Sequence, residues 1–363
     1  MKRKKIAVAM SGGVDSSVAA ALLCEQGHEV FGVTMNLFSL PKEFCRSDDL
    51  RSCCGWKSAE DAQRVAVALG IPHYVADFRK DFERTVIADF CAEYGRGRTP
   101  NPCLRCNEHI KFELFLNKAK KLGAETVATG HHARIELDQD SGRYLLKKGK
   151  DQRKDQSYFL YTLTQAQLAS ALMPVGELTK KEVRERARRL GLSVADKAES
   201  QEICFVPGDN YAEFLRSKVP DASRPGPIVD PEGRILGEHK GIISYTVGQR
   251  KGMGIASSRP LYVLAIDPLN NTITVGRNED LYKKGLIASA VHFISIENLA
   301  GPLETTAKIR YKHPEAKARV IPAPDGRIIV EFESAQRAIT PGQAVVFYEG
   351  DVVVGGGLIE SSF

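Results

Sequence analysis

Two sets of residues in this chain have types and spacings suited to chemistry. The first is Ser11-Gly12-Gly13-Val14-Asp15-Ser16-Ser17, which follows the apolar run Ile6 to Met10 and precedes Val18-Ala19-Ala20-Ala21-Leu22-Leu23. The local reading is buried strand, glycine turn, helix. Glycines at the carboxyl end of a strand let the backbone approach an anion, and the N–H groups opening the next helix supply donors and a favourable dipole. Phosphate is the ligand such a turn suits. A Walker A loop would need a lysine here and a dinucleotide fingerprint a third glycine, and neither is present. The plainer alternative is a glycine turn with no ligand, common in α/β folds. Asp15 suits Mg2+ or pyrophosphate, since a hard cation prefers carboxylate and phosphate oxygens; its other reading is a partner for the helix dipole.

The second set is sulfur. Cysteines stand at Cys24, Cys45, Cys53, Cys54, Cys91, Cys103, Cys106 and Cys204. Their irregular spacing, without a secretory signal, argues against a disulfide framework and leaves metal binding or thiol chemistry. Cys103 and Cys106 form a Cys-x-x-Cys on the arginine-rich stretch Gly95 to Asn107, and Cys204 lies in Ala198-Glu199-Ser200-Gln201-Glu202-Ile203-Cys204-Phe205. The thiolate is the reactive form, and a guanidinium such as Arg105 is expected to favour it. Half a zinc site and a redox pair are the alternatives, but zinc would want a second ligand pair at short spacing, which the sequence lacks. Three thiolates, Cys103, Cys106 and Cys204, could instead hold an iron-sulfur cluster with one iron left open.

Composition limits the classes. At 363 residues the chain exceeds the size at which one core stops growing, so two or three domains are expected. No window approaches the roughly 20 apolar residues of a membrane span. The basic start, Met1 to Lys5, leads through a short apolar run straight into the glycine turn, which reads as a first strand rather than a signal peptide, and the expected compartment is the cytoplasm. Lys plus Arg at 51 against Asp plus Glu at 45 gives +6, which permits polyanion binding without demonstrating it.

The elements that must position these residues follow from periodicity. Val30 to Met35, Ile71 to Val75 and Thr126 to Thr129 read as further strands, the last ending in Gly130-His131-His132, a good place for a nucleotide contact. Helices are expected from Ser58, with Asp61 completing a capping box, over Asp81 to Tyr94, through Phe112, Phe115, Leu116 and Ala119, and from Thr179, capped with Glu182. Leu37 to Trp56 reads as a long loop over the strand ends, and Gly95 to Asn107 as irregular because of its glycines and prolines. Beyond about residue 220, turn signals at Pro231-Glu232-Gly233, Pro268 to Asn271, Pro324-Asp325-Gly326 and Glu349-Gly350-Asp351 alternate with β-branched runs. The fold class expected is α/β, a doubly wound parallel sheet over 1–207, then a small β-rich central domain over 208–284 and a C-terminal β-barrel over 285–363.

The turn at Ser11 to Ser17 resembles the pyrophosphate loop of the ATP pyrophosphatases. Thr99-Pro100-Asn101-Pro102 with Asn107, Ala128-Thr129-Gly130-His131, Lys154 to Leu160, Ser200 to Phe205 and Pro341-Gly342-Gln343 follow in the order of the bacterial-type tRNA-specific 2-thiouridylase family, which the chain resembles over nearly its whole length. Cys103 departs from the pattern of those members that have aspartate there. The resemblance implies ATP, with Mg2+, at Ala9, Met10, Ser11, Gly12, Gly13, Val14, Asp15, Ser16, Met35 and Gly130. It implies adenylation of the C2 oxygen of a wobble uridine in the tRNA anticodon arm, with Asp15, Cys106 and Cys204 catalytic. A persulfide on Cys204, charged by a donor or relay protein, would supply sulfur, and Cys106 would release it or resolve it to a Cys106–Cys204 disulfide. It further implies tRNA contacts at Asn101, Pro102, Cys103, His131, Lys154, Asp155, Gln156, Arg310, Tyr311 and Gln343. For Lys154-Asp155-Gln156, which follow Lys147, Lys148, Lys150 and Arg153, a solvated basic loop is the bland alternative. ATP-dependent amidation of a small molecule and a non-catalytic RNA-binding module are the competing functions.

Overall fold

The protein is described by a computed structural model covering residues 3–39, 56–198, 203–206, 208 and 210–363. Cys45, Cys53 and Cys54, most of the expected Leu37 to Trp56 loop, and Glu199 to Glu202 lie outside the described residues.

The chain opens with β1 (Lys5–Ala9), α1 (Val14–Glu25), β2 (Glu29–Asn36), α2 (Trp56–Leu69) and β3 (His73–Asp77). Each helix so far ends at a glycine with positive φ, Gly27 at 81° and Gly70 at 66°, as a left-handed cap requires. The next helical stretch is α3 (Arg79–Phe82), a π-helical turn Glu83–Ile87, and α4 (Ala88–Gly95). After a short irregular stretch come α5 (Pro102–Arg105), a π-helical segment Cys106–Leu114 and α6 (Phe115–Lys121). Then follow β4 (Thr126–Ala128), β5 (Ala133–Leu137), β6 (Tyr144–Lys148), α7 (Gln165–Ala169), β7 (Ala171–Leu172), α8 (Lys180–Arg189) and α9 (Tyr211–Arg216). The rest is β: β8 (Gly226–Val229), β9 (Ile235–His239), β10 (Tyr262–Asp267), β11 (Thr272–Gly276), β12 (Tyr282–Phe293), β13 (Leu303–Lys308), β14 (Ala316–Pro322), β15 (Ile328–Arg337), β16 (Ala344–Glu349) and β17 (Val352–Ser362).

Two expectations need correction. Ser58 lies inside α2, which already runs from Trp56, so it is not the residue that precedes the helix; Asp61 pairs with Lys197 at 2.7 Å. Pro102 to Asn107 is helical rather than irregular, since Pro102 stands at the first helical position, where its missing N–H costs nothing. The capping box at Thr179 and Glu182 forms as expected.

The chain divides into two compact units. The first comprises Met1–Val86, Cys103–Asp209 and Gly350–Val353. Its sheet has the order β3-β2-β1-β4-β7 with every pairing parallel. The order reverses beside β1, so the crevice outside the carboxyl ends of β1 and β4 is the topological switch point where such sheets bind ligands. The core joins Ile6 and Val8 of β1 and Met10 just past its end to Val18, Ala19 and Leu23 of α1 and to Val183 and Ala187 of α8. Helix α1 is buried nearly all round, which its alanines allow by letting neighbours pack close.

The second unit comprises Ile87–Pro102, Asn210–Glu349 and Val354–Phe363. It holds a four-stranded sheet of order β10-β11-β8-β9 and a barrel. Strand β12 pairs with both β15 and β17, which closes the ring β12-β15-β14-β13-β16-β17 and leaves no edge in that circuit. Each turn signal read from the sequence joins a strand pair: β8 to β9, β10 to β11, β14 to β15 and β16 to β17. Among the described residues no helix is long and apolar enough to cross a membrane.

Candidate active site

The site is built from the turn after β1. Gly12 has φ 68°, and a Cβ there would stand 2.3 Å from the Ser58 carbonyl oxygen, so only glycine fits. Gly13 is the N-cap of α1 in extended conformation and offers no side-chain cap, so the first-turn N–H groups keep their capacity for an anion. The hydroxyls of Ser16 and Ser17 both donate to the Gly13 carbonyl, at 3.1 and 2.9 Å, and Ser16 Oγ accepts from Ser11 N at 3.2 Å. These bonds fold the loop from within. Gly130, past the end of β4, completes the concavity: a Cβ there would lie 2.5 Å from Ser16 N. Of the residues expected to bind nucleotide, Ala9, Met10 and Val14 bury their side chains in the core, so they can face a ligand only through backbone. Met35 lies at the half-buried end of β2.

Asp15, on the first turn of α1, is engaged rather than open. Lys180 Nζ donates to both carboxylate oxygens, at 2.8 and 2.7 Å, and His132 Nε2 lies 3.1 Å from Oδ1. Burial pushes the Asp15 carboxyl up, yet the His132 hydrogen bond and the Lys180 charge together outweigh it and hold the group below its ordinary value. Lys180 is buried at the first position of α8, where its own backbone N–H donates to Asp151 Oδ2 at 3.0 Å. His132 is 3% exposed, and its Nδ1 is buried without a hydrogen-bond partner. Lys197 Nζ donates to the Gly12 carbonyl at 3.0 Å.

Sequence reasoning missed Lys180 and Lys197, read Asp61 only as part of a capping box, and noted His132 at a strand end without its link to Asp15. A lysine at a helix N-terminus opposes the helix dipole, and that broken rule was the available signal for Lys180. Nothing local marked Lys197.

His131, expected to touch nucleotide or tRNA, is turned inward. Its Nδ1 meets Thr129 Oγ1 at 2.8 Å, its Nε2 lies 3.5 Å from Lys111 Nζ, and burial, then Lys111 and His132, hold it well below the ordinary histidine value. It is neutral near pH 7. Asp155 is 3% exposed, and its carboxylate accepts from Gly149 N, Ser157 N and Ser157 Oγ. It organises its own loop, whereas Gln156 Oε1 accepts from His132 N at 2.9 Å and ties that loop to the strand end.

Cys103 is exposed, and Cys106 and Cys204 are half-buried; with Cys24 and Cys91 they stand outside any disulfide. Cys106 opens the π-helical segment, a distortion often kept at functional positions. Its neighbour Asn107 donates to the Phe159 carbonyl at 2.9 Å. Arg105 pairs with Glu108 at 3.0 Å, so the guanidinium expected to favour the thiolates has its charge partly cancelled. Among the described residues no three His, Cys, Asp or Glu side chains gather to hold a metal ion, which gives the cluster on Cys103, Cys106 and Cys204 no support.

In the second unit, Gln343 Nε2 donates to the Thr99 carbonyl at 2.8 Å, and Thr99 N donates to the Pro341 carbonyl at 2.9 Å. These bonds fix the stretch that carries Asn101 and Pro102. Arg310 Nη1 donates to the Ala338 carbonyl at 3.3 Å, and the neighbouring Tyr311 is half-buried.

Comparisons with known proteins cover nearly the whole chain. Family profiles described as a tRNA methyl transferase HUP domain, a tRNA methyl transferase PRC-barrel domain and an aminomethyltransferase beta-barrel domain match residues 4–208, 212–277 and 283–359. The tRNA-specific 2-thiouridylase MnmA of Clostridium perfringens is 52% identical over 361 residues, 99% of each chain. Its counterpart MnmA 1 from Caldanaerobacter subterraneus is 54% identical over 356 residues, 98% of each chain. That of Acetivibrio thermocellus is 51% identical over 360 residues, 99% of this chain and 100% of the other.

Proposed function

Because the chain belongs to the tRNA-specific 2-thiouridylase family, we propose that it thiolates the wobble uridine of tRNA at C2, consuming ATP. The observation that carries the ATP step is the cradle at the end of β1, where Gly12 and Gly130 leave no room for a Cβ and the first turn of α1 has no side-chain cap. Transfer of AMP to the uridine C2 oxygen makes that oxygen a leaving group and releases pyrophosphate. Mg2+ would neutralise phosphate charge, and a single carboxylate with phosphate oxygens suits it. Asp15 is the residue to hold it, in exchange for its bond to Lys180.

Sulfur then arrives as a nucleophile. Cys204 carries a persulfide received from a donor or relay protein; the Cys106 thiolate attacks its inner sulfur, forming the Cys106–Cys204 disulfide and expelling hydrosulfide. Hydrosulfide attacks C2 and AMP leaves, and an external thiol reduces the disulfide before the next turnover. Half-buried thiols on the segments after α5 and after Lys197 support this division of labour. Asn101, Pro102, Cys103, Lys154, Arg310, Tyr311 and Gln343 are the proposed tRNA contacts; for His131, Asp155 and Gln156 the proposed contribution is to shape the surface through their internal bonds. The three-domain division at 207/208 and 284/285 belongs to the same proposal, with the cytoplasm as the compartment.

Incubating the protein with tRNA, ATP, Mg2+ and a persulfide source, followed by nucleoside mass analysis, tests the reading. The expected product is 2-thiouridine, lost in both Cys106→Ser and Cys204→Ser and retained in Cys24→Ala. Amidated product, or a fully active Cys106→Ser chain, overturns it.

A further inference from the structure

The second unit carries a loop whose charge is all of one sign. From His239 to Ile266 the chain has no Asp or Glu, yet it holds Lys240, Arg250, Lys251 and Arg259, all of them exposed. Among the described residues none of these four cations pairs with a carboxylate. Other arginines of the same unit are matched locally: Arg234 pairs with Asp230 and Glu232, at 2.6 and 3.2 Å, and Arg327 with Glu360 at 3.4 Å. Solubility is served by such interspersed signs, whereas a run of one sign raises the local potential and suits a partner of opposite charge.

The loop is built rather than loose. Gly248 N donates to the Val263 carbonyl at 2.8 Å and Val263 N to the Gln249 carbonyl at 3.0 Å, which ties its two feet together. The Gln249 side chain accepts from Thr246 N and donates to the Lys251 carbonyl, both at 3.0 Å. Gly252 and Gly254 have φ of 83° and 70°, values that favour glycine, and Met253 between them is buried. Ile255 packs close to β9, since a Cβ at Gly237 would stand 3.5 Å from its Cγ1. A backbone fixed beforehand loses less entropy when its side chains are engaged.

We propose that Arg250, Lys251 and Arg259 form a phosphate-binding surface for tRNA, in addition to the contacts at Lys154 and Arg310. Guanidinium groups take phosphate oxygens in pairs, and Lys251 adds a point charge beside them. Contacts to phosphate add affinity without selecting a base. The inference rests on tRNA being the substrate.

The test measures the affinity of the full-length chain for tRNA from about 50 to 200 mM salt, alongside melting temperature. Arg250→Gln, Lys251→Gln and Arg259→Gln are each expected to lower the slope of log affinity against log salt by about 0.7–0.9, and the triple variant by about two or more, with melting unchanged because the side chains are exposed. Arg234→Gln removes the same charge from a matched arginine and should leave the slope as it was. A triple variant with the wild-type slope overturns the surface, and so does an Arg234→Gln chain that loses as much as Arg250→Gln, which would reduce the effect to net charge. A triple variant that binds tRNA normally but loses thiolation only when the sulfur comes from a persulfide-bearing protein assigns the loop to that protein and overturns the tRNA contact. A wild-type chain that binds no tRNA overturns both this inference and the tRNA reading. Lowered slopes in a chain that makes no 2-thiouridine uphold the surface and overturn the proposed reaction alone.

Discussion

At the scale of single residues, the Asp15–Lys180 pair joins chemistry to stability. Both side chains are largely buried, at 28% and 11% exposed. Asp15→Ala removes two acceptors from a largely buried ammonium, which costs about 1–3 kcal/mol, in addition to stopping tRNA-dependent pyrophosphate release. Removing the ammonium in the same chain relieves that penalty, so Asp15→Ala with Lys180→Met is expected to melt at a higher temperature than the two single losses sum to, by a coupling of roughly 0.5–3 kcal/mol; strict additivity in urea unfolding would dismiss the pair. His131 gives a second residue-level expectation. Its folded value is depressed, so the folded state binds the proton more weakly than the unfolded chain does, whose histidine titrates near 6.5. Its contribution is complete above that value and shrinks as pH falls below it, by about 1.4 kcal/mol per unit until the folded value is reached. His73, His239 and His313 are also lowered, chiefly by burial, and add to the decline. His131→Gln should flatten the fall in urea midpoint between pH 6.5 and 5; an unchanged slope would show that His131 titrates alike in both states.

Elements decide which substitutions the turn tolerates. At Gly130 a methyl group meets Ser16 N at 2.5 Å, so Gly130→Ala must displace either the end of β4 or the mouth of α1. ATP binding by calorimetry should fall at least tenfold, whereas Gly70→Ala, with nothing within 4 Å, should cost only the strain of its positive φ and leave ATP binding unchanged. Equal losses in the two variants would remove the cradle argument. The turn was legible because strand, glycine pair and helix are contiguous, and their types reveal the backbone they require. The β hairpins were legible for the same local reason, their Asp-Gly and Glu-Gly signals standing between β-branched runs. What the sequence hid is long-range: Lys180 reaches Asp15 across 165 positions and Lys197 reaches Gly12 across 185. No periodicity records such pairs. Pro102 misled in the other direction, since a proline that ends one helix can equally begin another.

The whole molecule is less separable than three consecutive segments suggest. Residues 350–353 belong to the first unit, where Asp351 pairs with Arg134 and the Gly350 carbonyl accepts from Lys148 Nζ at 2.8 Å. Residues 87–102 belong to the second, where Arg98 donates to the Ile359 carbonyl at 3.2 Å and Thr99 meets Thr246 at 3.2 Å. A chain cut after residue 209 loses residues 350–353 and the partners of residues 87–102, and it should unfold at lower urea than the intact protein. RNA binding is the other property of the whole chain. A charge of +6 is too small to bind tRNA by net attraction alone, so affinity must come from a few cations placed against phosphates. Each phosphate contact releases counterions and adds about 0.7–0.9 to the slope of log affinity against log salt. Lys154→Ala and Arg310→Ala should each lower that slope by about one and weaken all tRNAs alike, since phosphate contacts carry no sequence information. If residues of both units neutralise phosphates on one tRNA, the double variant loses about two. A double variant no shallower than Lys154→Ala would confine phosphate binding by this pair to the first unit and leave Arg310, which donates to the Ala338 carbonyl, with a structural task.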